Sequence, residues 1–256
     1  MLGIRLRRLQ VAIAKKFPQN WINSLLLTFP RLYKTRFIGY ESYLTSSKQE
    51  ILDALSLTQL IEGNIVEFGS ARCGTSVLMG DFLKQNEIPK KIYALDTFGA
   101  GFDKGELARE RLRGLTDEKE EDFTGEYNSF TYVQAKVKAL QLERYIIPIQ
   151  GMFQETFDSI EGKFSLAIVD CDVSESVKYS LESVWPRLTR GGVILIHDYY
   201  SKRFRGVNEV VDLFMKEEPA DREGQRLRRM YRIKKELGTD TSHSSIHQHR
   251  LSVENL

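Results

Sequence analysis

Four residues stand out for their type and spacing: Asp170 and Asp172, one residue apart, and the adjacent pair His197-Asp198. Each group follows a short apolar run, over 166–169 and 193–196. If these runs are neighbouring strands, their ends lie about 5 Å apart, and the four side chains converge. Three carboxylates in one pocket repel each other unless a cation joins them. Oxygen donors with one imidazole suit a hard divalent ion, Mg²⁺ or Mn²⁺. The plainer alternative is that each Asp serves a local turn. His197 is the only histidine before residue 243. His243, His247 and His249 fall in a polar C-terminal tail, better read as disordered than as a metal site.

A second constellation precedes the first. Glu67-Phe68-Gly69-Ser70-Ala71-Arg72-Cys73-Gly74-Thr75-Ser76 reads as a strand end, a glycine turn and a helix start. Gly69 and Gly74 let the backbone turn sharply and approach a ligand. The helix start offers free N–H groups to a carboxylate or phosphate. Asp96 ends the next apolar run, where a carboxylate can accept both hydrogen bonds of a ribose diol. Together these features describe a nucleoside site. The middle glycine of G-x-G-x-x-G is missing, and Glu67 disfavours a diphosphate. An acidic residue there suits a cation instead, such as the α-amino or sulfonium group of S-adenosylmethionine. An ordinary tight turn beside a solvent-facing Asp is the alternative.

The elements that must position these groups alternate. Apolar runs at 65–68, 91–95, 145–149, 166–169 and 193–196 read as strands, and 230–233 as a last edge strand. Helical stripes lie at 48–61, 75–85, 131–143, 174–184 and 206–217. Ser174 is a plausible N-cap, Pro186 ends or bends its helix, and Arg190-Gly191-Gly192 reads as a tight turn into the next strand. Strand–helix alternation predicts an α/β fold, a doubly wound and mostly parallel Rossmann-like sheet. Such sheets bind ligands beyond the carboxyl ends of their strands, where Gly69, Asp96, Gly151, Asp170 and His197-Asp198 fall. Residues 1–62 are expected to form an N-terminal helical cap, 63–235 the ligand-binding domain, and 236–256 a polar tail. Residues 99–130 are polar and heavily charged, and read as a mobile lid over helical pieces.

The chain has 256 residues and 41% hydrophobic residues, enough for one large α/β domain. No apolar run reaches the roughly 18 residues of a membrane span. Two cysteines, Cys73 and Cys171, point to a reducing compartment and away from a disulfide scaffold. Lys15 and Lys16 interrupt any signal-peptide core, so a cytoplasmic location is expected. The first 40 residues hold eight Lys or Arg and no Asp or Glu. This reads first as a solvated basic helix, and secondly as peripheral contact with an anionic membrane surface or partner. No aromatic residues interleave these charges in a stacking pattern, which argues against nucleic acid.

The motifs in order resemble one family. Glu67-x-Gly69-x-x-Arg72-x-Gly74-x-Ser76, Leu95-Asp96-Thr97-Phe98, Gly151-x-Phe153-x-x-Thr156, Asp170-x-Asp172-x-x-Glu175-Ser176, Gly191-Gly192 and Asp198-Tyr199 resemble the macrocin O-methyltransferase (TylF-like) family over roughly residues 40–217. The resemblance implies a class I S-adenosylmethionine-dependent O-methyltransferase acting on a sugar or other small-molecule hydroxyl, with Mg²⁺. It implies that Glu67, Gly69, Ser70, Ala71, Thr75, Ser76, Asp96, Thr97 and Asp170 hold the cofactor, with Gly151, Met152 and Phe153 near its adenine. It implies Asp170, His197 and Asp198 as metal ligands and Asp172 as the base. A glycosyl acceptor and a homo-oligomer are expected with it. Two departures stand out. The family has two adjacent aspartates where this chain has His197-Asp198, and Thr97-Phe98-Gly99-Ala100-Gly101 replaces Ser-Phe-Glu-Gly-Leu-Pro. The first removes a negative charge and puts Mg²⁺ in question; the second changes the lid. A nicotinamide-dependent reductase and a non-catalytic ligand-binding relative are the competing readings.

Overall fold

The computed structural model describes residues 47–99, 101, 105–119, 129–217 and 219–236. The expected N-terminal cap lies mostly outside these residues, as do its basic cluster and nearly all of the polar tail. Seven strands form one sheet in the order β3-β2-β1-β4-β5-β7-β6: β1 (Asn64–Phe68), β2 (Ile92–Asp96), β3 (Ile146–Gln150), β4 (Phe164–Val169), β5 (Leu188–Ile196), β6 (Arg222–Arg226) and β7 (Tyr231–Lys235). The first five are parallel. β7 runs antiparallel to β5, and β6 antiparallel to β7. This is the expected α/β, mostly parallel, Rossmann-like sheet. The helices are α1 (Lys48–Thr58), α2 (Gly74–Gln85), α3 (Glu106–Leu112), α4 (Phe130–Ala139), α5 (Ser174–Val184) and α6 (Gly206–Glu217). No helix among the described residues is long and apolar enough to cross a membrane.

Burial explains the strand composition. All six residues of β4 are buried, because helices cover both faces of a parallel sheet. One apolar cluster joins α1, α2 and α4 to one face, and the other joins α5 and α6 to the opposite face. Pro148 is tolerated because β3 is an edge strand. The strand order reverses at β1. From there the chain runs outward to β2 and β3, then returns to β4 on the other side. A crevice opens at such a switch point.

Four local expectations change. Arg190-Gly191-Gly192 is not a turn before a strand but an irregularity inside β5. Phe164 pairs with Leu188 while Leu166 pairs with Val193, so β5 carries extra residues there, and Gly191 takes the positive φ of 80° this demands. The run at 230–233 is not the sheet edge: β7 is internal, and β6 covers it. β6 reads Arg-Glu-Gly-Gln-Arg, with four of five residues exposed, so it carries no apolar alternation to betray it. Ser174 is not an N-cap; Val173 occupies that position and Ser174 is the first helical residue. The segment after β2, read as a lid with few buried positions, buries Glu106, Leu107, Glu110, Leu115 and Thr116.

The last two changes share a cause. Glu106 and Glu110 lie four apart, on one face of α3. Glu110 Oε1 accepts the Ser174 N–H at 3.2 Å and also the Ser174 hydroxyl. Glu106 Oε1 accepts the Ser176 N–H at 2.7 Å and its hydroxyl at 2.8 Å. Two carboxylates from a distant segment therefore cap the positive end of α5, and displace the local serine from that role. Outside this buried pair, Arg109 forms a bidentate bond to Glu175 at 2.7 and 2.6 Å, and Arg113 meets Glu209 at 2.7 Å.

Glu106→Ala is expected to lower unfolding stability by about 2–3 kcal/mol, the scale of charge-assisted bonds whose buried donors lose their acceptor. Arg109→Ala, at a half-exposed pair, is expected to cost less than about 1 kcal/mol. Urea midpoints at unchanged slope check both; equal costs would remove the capping role of α3.

Candidate active site

The turn after β1 is held at close quarters. Gly69 takes φ 84°, and a Cβ there would lie 2.1 Å from the Asp170 carbonyl oxygen. The loops leaving β1 and β4 thus touch at the switch point, and only glycine fits. Ala71 and Cys73 also take positive φ, at 44° and 54°. The turn is pinned from several sides. Gly69 N–H donates to Leu95 O at 3.0 Å, and Ala71 N–H to Asp96 Oδ2 at 2.8 Å. From α4, the buried Lys136 ammonium donates to Arg72 O at 3.0 Å, and the Arg72 guanidinium sits 3.9 Å over the Tyr132 ring.

Asp96 closes β2 with both carboxylate oxygens engaged, since the Phe98 N–H donates to Oδ1 at 2.7 Å. Burial raises its pKa, and these two bonds only partly offset that. Each oxygen keeps a second lone pair for a ligand hydroxyl. Glu67 lies beneath the turn rather than in the open crevice: it is 1% exposed and accepts the Ser76 hydroxyl. Burial drives its pKa from 4.5 up to about 8, helped by the charges of Asp170 and Asp96. Ser76 is therefore turned toward Glu67, and Thr75 also bonds that carboxyl. The Ser70 and Thr97 hydroxyls go to backbone, to Leu95 O at 3.3 Å and Gly101 O at 2.9 Å. Gly151, with φ 147°, brings its N–H to Asp96 O at 3.1 Å. Met152 begins a helical turn over Phe153–Thr156, and the Phe153 ring meets Phe68 edge-on at 5.3 Å.

The second constellation converges as its spacing predicts. β4 and β5 end side by side, with Val169 paired to Ile196 and the His197 N–H on Val169 O at 2.9 Å. His197 Nδ1 lies 2.9 Å from Asp170 Oδ1 and 2.8 Å from Asp198 Oδ2. Ligand atoms of Asp170, His197 and Asp198 all fall within 4.8 Å of one another. Asp172 joins by a side-chain hydrogen bond to Asp198. Asp172 and Asp198 both take the left-handed backbone, at φ 64° and 58°. Strain of this kind, about 1–3 kcal/mol per residue, persists where surrounding structure enforces it and collects at functional sites.

The charges are mutually compensated. Burial works to lower the His197 pKa, but the bonds to Asp170 and Asp198 carry it up to about 11. Burial works to raise Asp198, and the His197 bond overrides it, leaving a net downward shift. Asp172 is pushed well above the carboxylate range by burial and by the charges of Asp170 and Asp198. The donor set also fits a divalent ion. Asp170, His197 and Asp198 each bring one ligand atom within 4.8 Å of the others, and His197 would have to release the Nδ1 proton it shares with the two carboxylates to join them on an ion.

Sequence reasoning missed the supporting residues Glu106, Glu110, Lys136 and Arg203. Glu106-x-x-x-Glu110 carried a usable signal, an acidic pair on one helix face. Arg203 donates to Glu118 at 2.7 Å, and the Arg205 N–H to Leu115 O at 2.9 Å. The described part of the expected lid is therefore docked against the loop that follows Asp198.

The Glu67 shift has a definite sign. Below about pH 4.5 folded and unfolded chains both hold its proton. Between 4.5 and about 8 only the folded chain does, so stability falls as pH rises through that window. Glu67→Gln lacks this penalty and is expected to gain on the parent by up to a few kcal/mol between pH 5 and 8. Denaturant midpoints across that range check it; a pH-independent difference would mean Glu67 is ionised throughout.

Comparison with known proteins bears on this rim of the sheet. A curated relative, the 8-demethyl-8-(2,3-dimethoxy-alpha-L-rhamnosyl)-tetracenomycin-C 4'-O-methyltransferase of Streptomyces olivaceus, is 27% identical over 152 residues, 54% of this chain and 54% of that protein. The match thus spans about half the length of that relative. Two solved structures share the fold. The O-methyltransferase NovP superposes with a TM-score of 0.65 at 19% identity, over 74% of this chain and 79% of its own. The calicheamicin methyltransferase CalS11 superposes with a TM-score of 0.58 at 17% identity, over 84% of this chain and 91% of its own. A family model described as a methyltransferase domain matches residues 66–199, more than half of the chain. That stretch opens one residue before Glu67 and closes on Tyr199, enclosing both constellations, and by that match the chain belongs to the methyltransferase-domain family.

Proposed function

We propose that the chain is an S-adenosylmethionine-dependent O-methyltransferase of TylF-like type, acting on a hydroxyl of a glycosyl or similar small molecule with the help of a divalent ion. The observation that carries this reading is the meeting of two constellations at one switch point. The glycine turn and Asp96 are suited to a nucleoside bearing a cation. The group at the ends of β4 and β5 is suited to an alcohol that must lose a proton. The contact between Gly69 and the Asp170 carbonyl ties the two together. The methyltransferase-domain match supports this over a nicotinamide-dependent reductase. The Streptomyces relative is by name a methyltransferase of a rhamnosyl group, which supports a glycosyl acceptor.

The bound cofactor supplies a methyl carbon made electrophilic by its sulfonium, and a bound divalent ion lowers the pKa of an alcohol. The protein's own residues do the rest. Asp96 offers its free lone pairs to the ribose hydroxyls. Glu67, Gly69, Ser70, Ala71, Thr75 and Ser76 build the turn beneath the methionine moiety, and Gly151, Met152 and Phe153 flank the base. Asp170, His197 and Asp198 would hold the ion. Asp172 would accept the hydroxyl proton only after giving up the one it holds toward Asp198, a loss that the positive charge of a bound ion would favour. The docked segment 105–119 limits water at the rim, where exclusion strengthens each charge interaction. Positioning the oxygen about 3 Å from the methyl supplies several kcal/mol more.

Asp172→Asn is expected to leave S-adenosylhomocysteine affinity near that of the parent and to lower turnover of a glycosyl acceptor by about 10²–10⁴-fold. Calorimetry and a methyl-transfer assay check the two halves. Retained turnover would remove Asp172 from the mechanism; tight NADH binding with no S-adenosylhomocysteine binding would overturn the cofactor assignment.

A further inference from the structure

We propose that the acceptor hydroxyl reaches this site on an anionic carrier, a glycosyl phosphate or diphosphate, and that Arg226, Arg228 and Arg229 at the tip of the β6–β7 hairpin bind the phosphate. The proposal rests on the preceding reading for the hydroxyl and its methylation; the ground for the phosphate is the hairpin itself. Residues 222–235 hold seven Lys or Arg and one Glu. β7 runs antiparallel to β5, and Tyr231 at its start pairs with Ile196 at the end of β5. The turn between β6 and β7 therefore lies at the carboxyl edge of the sheet, beside His197-Asp198. The Leu227 N–H closes it on Met230 O at 2.9 Å, and Glu50 of α1 accepts the Arg229 N–H at 2.8 Å.

The distribution of charge along the hairpin points to a ligand. Cations that only guard an exposed edge against pairing belong along the edge strand. The exposed middle of β6 is instead Glu223-Gly224-Gln225, which holds no cation. The cations further from the tip serve the fold. Arg222 is buried and donates to Phe214 O, Lys234 pairs with Glu223 at 3.2 Å, and Lys235 donates to Trp185 O at 2.9 Å. Arg232 is half-buried within β7. Arg226, Arg228 and Arg229 are exposed and gather within four residues, at the end of the hairpin nearest the site.

Arg226 is also held in place. Its guanidinium lies 4.1 Å over the Tyr200 ring. A guanidinium stacked on a ring keeps its in-plane N–H donors, the fork that matches a phosphate bidentately. Tyr200 meets Tyr199 edge-on at 4.5 Å, and Tyr199 packs 4.5 Å from Tyr231. The Tyr199 hydroxyl donates to Asp212 Oδ1 at 2.5 Å, so that carboxylate is engaged within the aromatic group. Two trans peptide steps place the Tyr200 Cα at most about 7.6 Å from that of Asp198. The stack thus couples the hairpin to the loop that carries Asp198. An acceptor with its hydroxyl at Asp172 and Asp198 can turn its anionic end to the hairpin.

The test uses the full chain and titrates inorganic pyrophosphate by calorimetry in the presence of S-adenosylhomocysteine. Binding is expected. Arg226→Ala and Arg229→Ala should each weaken it by about tenfold or more, the scale of a lost charge-assisted contact. Arg226→Lys should restore it only in part, since it keeps the charge without the fork. Lys234→Ala removes the same charge away from the tip and should leave affinity unchanged. Absent pyrophosphate binding, or an equal loss in Lys234→Ala, would overturn the proposal. Flotation with vesicles of phosphatidylcholine and phosphatidylglycerol tests the other source of phosphate. The tip variants should float like the parent; if they lose vesicle binding but keep pyrophosphate affinity, the hairpin is a membrane contact and the proposal falls. Hexose 1-phosphates are then compared with the matching methyl hexosides by release of S-adenosylhomocysteine. The phosphates should show the higher kcat/KM, with Arg226→Ala raising KM and sparing kcat; a preference for the neutral hexosides overturns the proposal. If no hexose is methylated, the pyrophosphate titration decides alone. Calorimetry with S-adenosylhomocysteine separates the two readings. Cofactor binding without pyrophosphate binding overturns the anionic acceptor only; pyrophosphate binding without cofactor binding overturns the methyltransferase chemistry only.

Discussion

Repulsion among carboxyl groups crowded at the carboxyl edge of the sheet is the constraint that the surrounding structure answers. Glu67, Asp96, Asp170, Asp172 and Asp198 stand within one region where β1, β2, β4 and β5 end. Each is met in a different way. Glu67 is buried and holds its proton near neutrality. Asp96 spends its charge on two backbone N–H groups, Ala71 in the turn after β1 and Phe98 in its own loop. Asp170 and Asp198 share the His197 imidazole, and Asp172 leans on Asp198. The Phe98–Asp96 and His197–Asp198 bonds are local, whereas the Ala71–Asp96 and His197–Asp170 bonds need the neighbouring strand.

The same electrostatic logic extends one layer outward. The loop carrying Asp170 and Asp172 runs into α5, whose N-terminus presents free N–H groups and a partial positive charge. Glu106 and Glu110 from α3 satisfy that end. The segment that reads as a lid is thus anchored by buried charge on the helix that follows the acidic loop. Half-exposed pairs such as Arg113–Glu209 add register more than energy.

Steric closeness completes the design. Gly69 allows the β1 turn to touch the β4 loop, and α4 braces that turn through Lys136 and the Arg72–Tyr132 stack. A methyl group at Gly69 would push apart the two halves of the crevice that the chemistry needs together. Packing and chemistry therefore meet at one backbone contact.

The sheet and its order of elements were legible in the chain because buried parallel strands require continuous apolar runs, and those runs end at the polar residues that matter. The helices 174–184 and 206–217 read with their observed bounds, since each has one apolar face, although Ser174 begins the first rather than capping it. β6 was not legible: an exposed edge strand of Arg, Glu, Gly and Gln gains its structure from pairing with β7, not from its own pattern. The partners of Glu106, Glu110 and Lys136 were not legible, because a single sequence does not reveal which helix end or carbonyl a long polar side chain will reach. So local composition determined the strands, their polar tips and the meeting of Asp170 with His197-Asp198. Only the tertiary structure decided that Glu67 lies beneath the turn, that α3 caps α5 and that His197 is shared by two carboxylates, because those outcomes depend on burial and on partners far away along the chain.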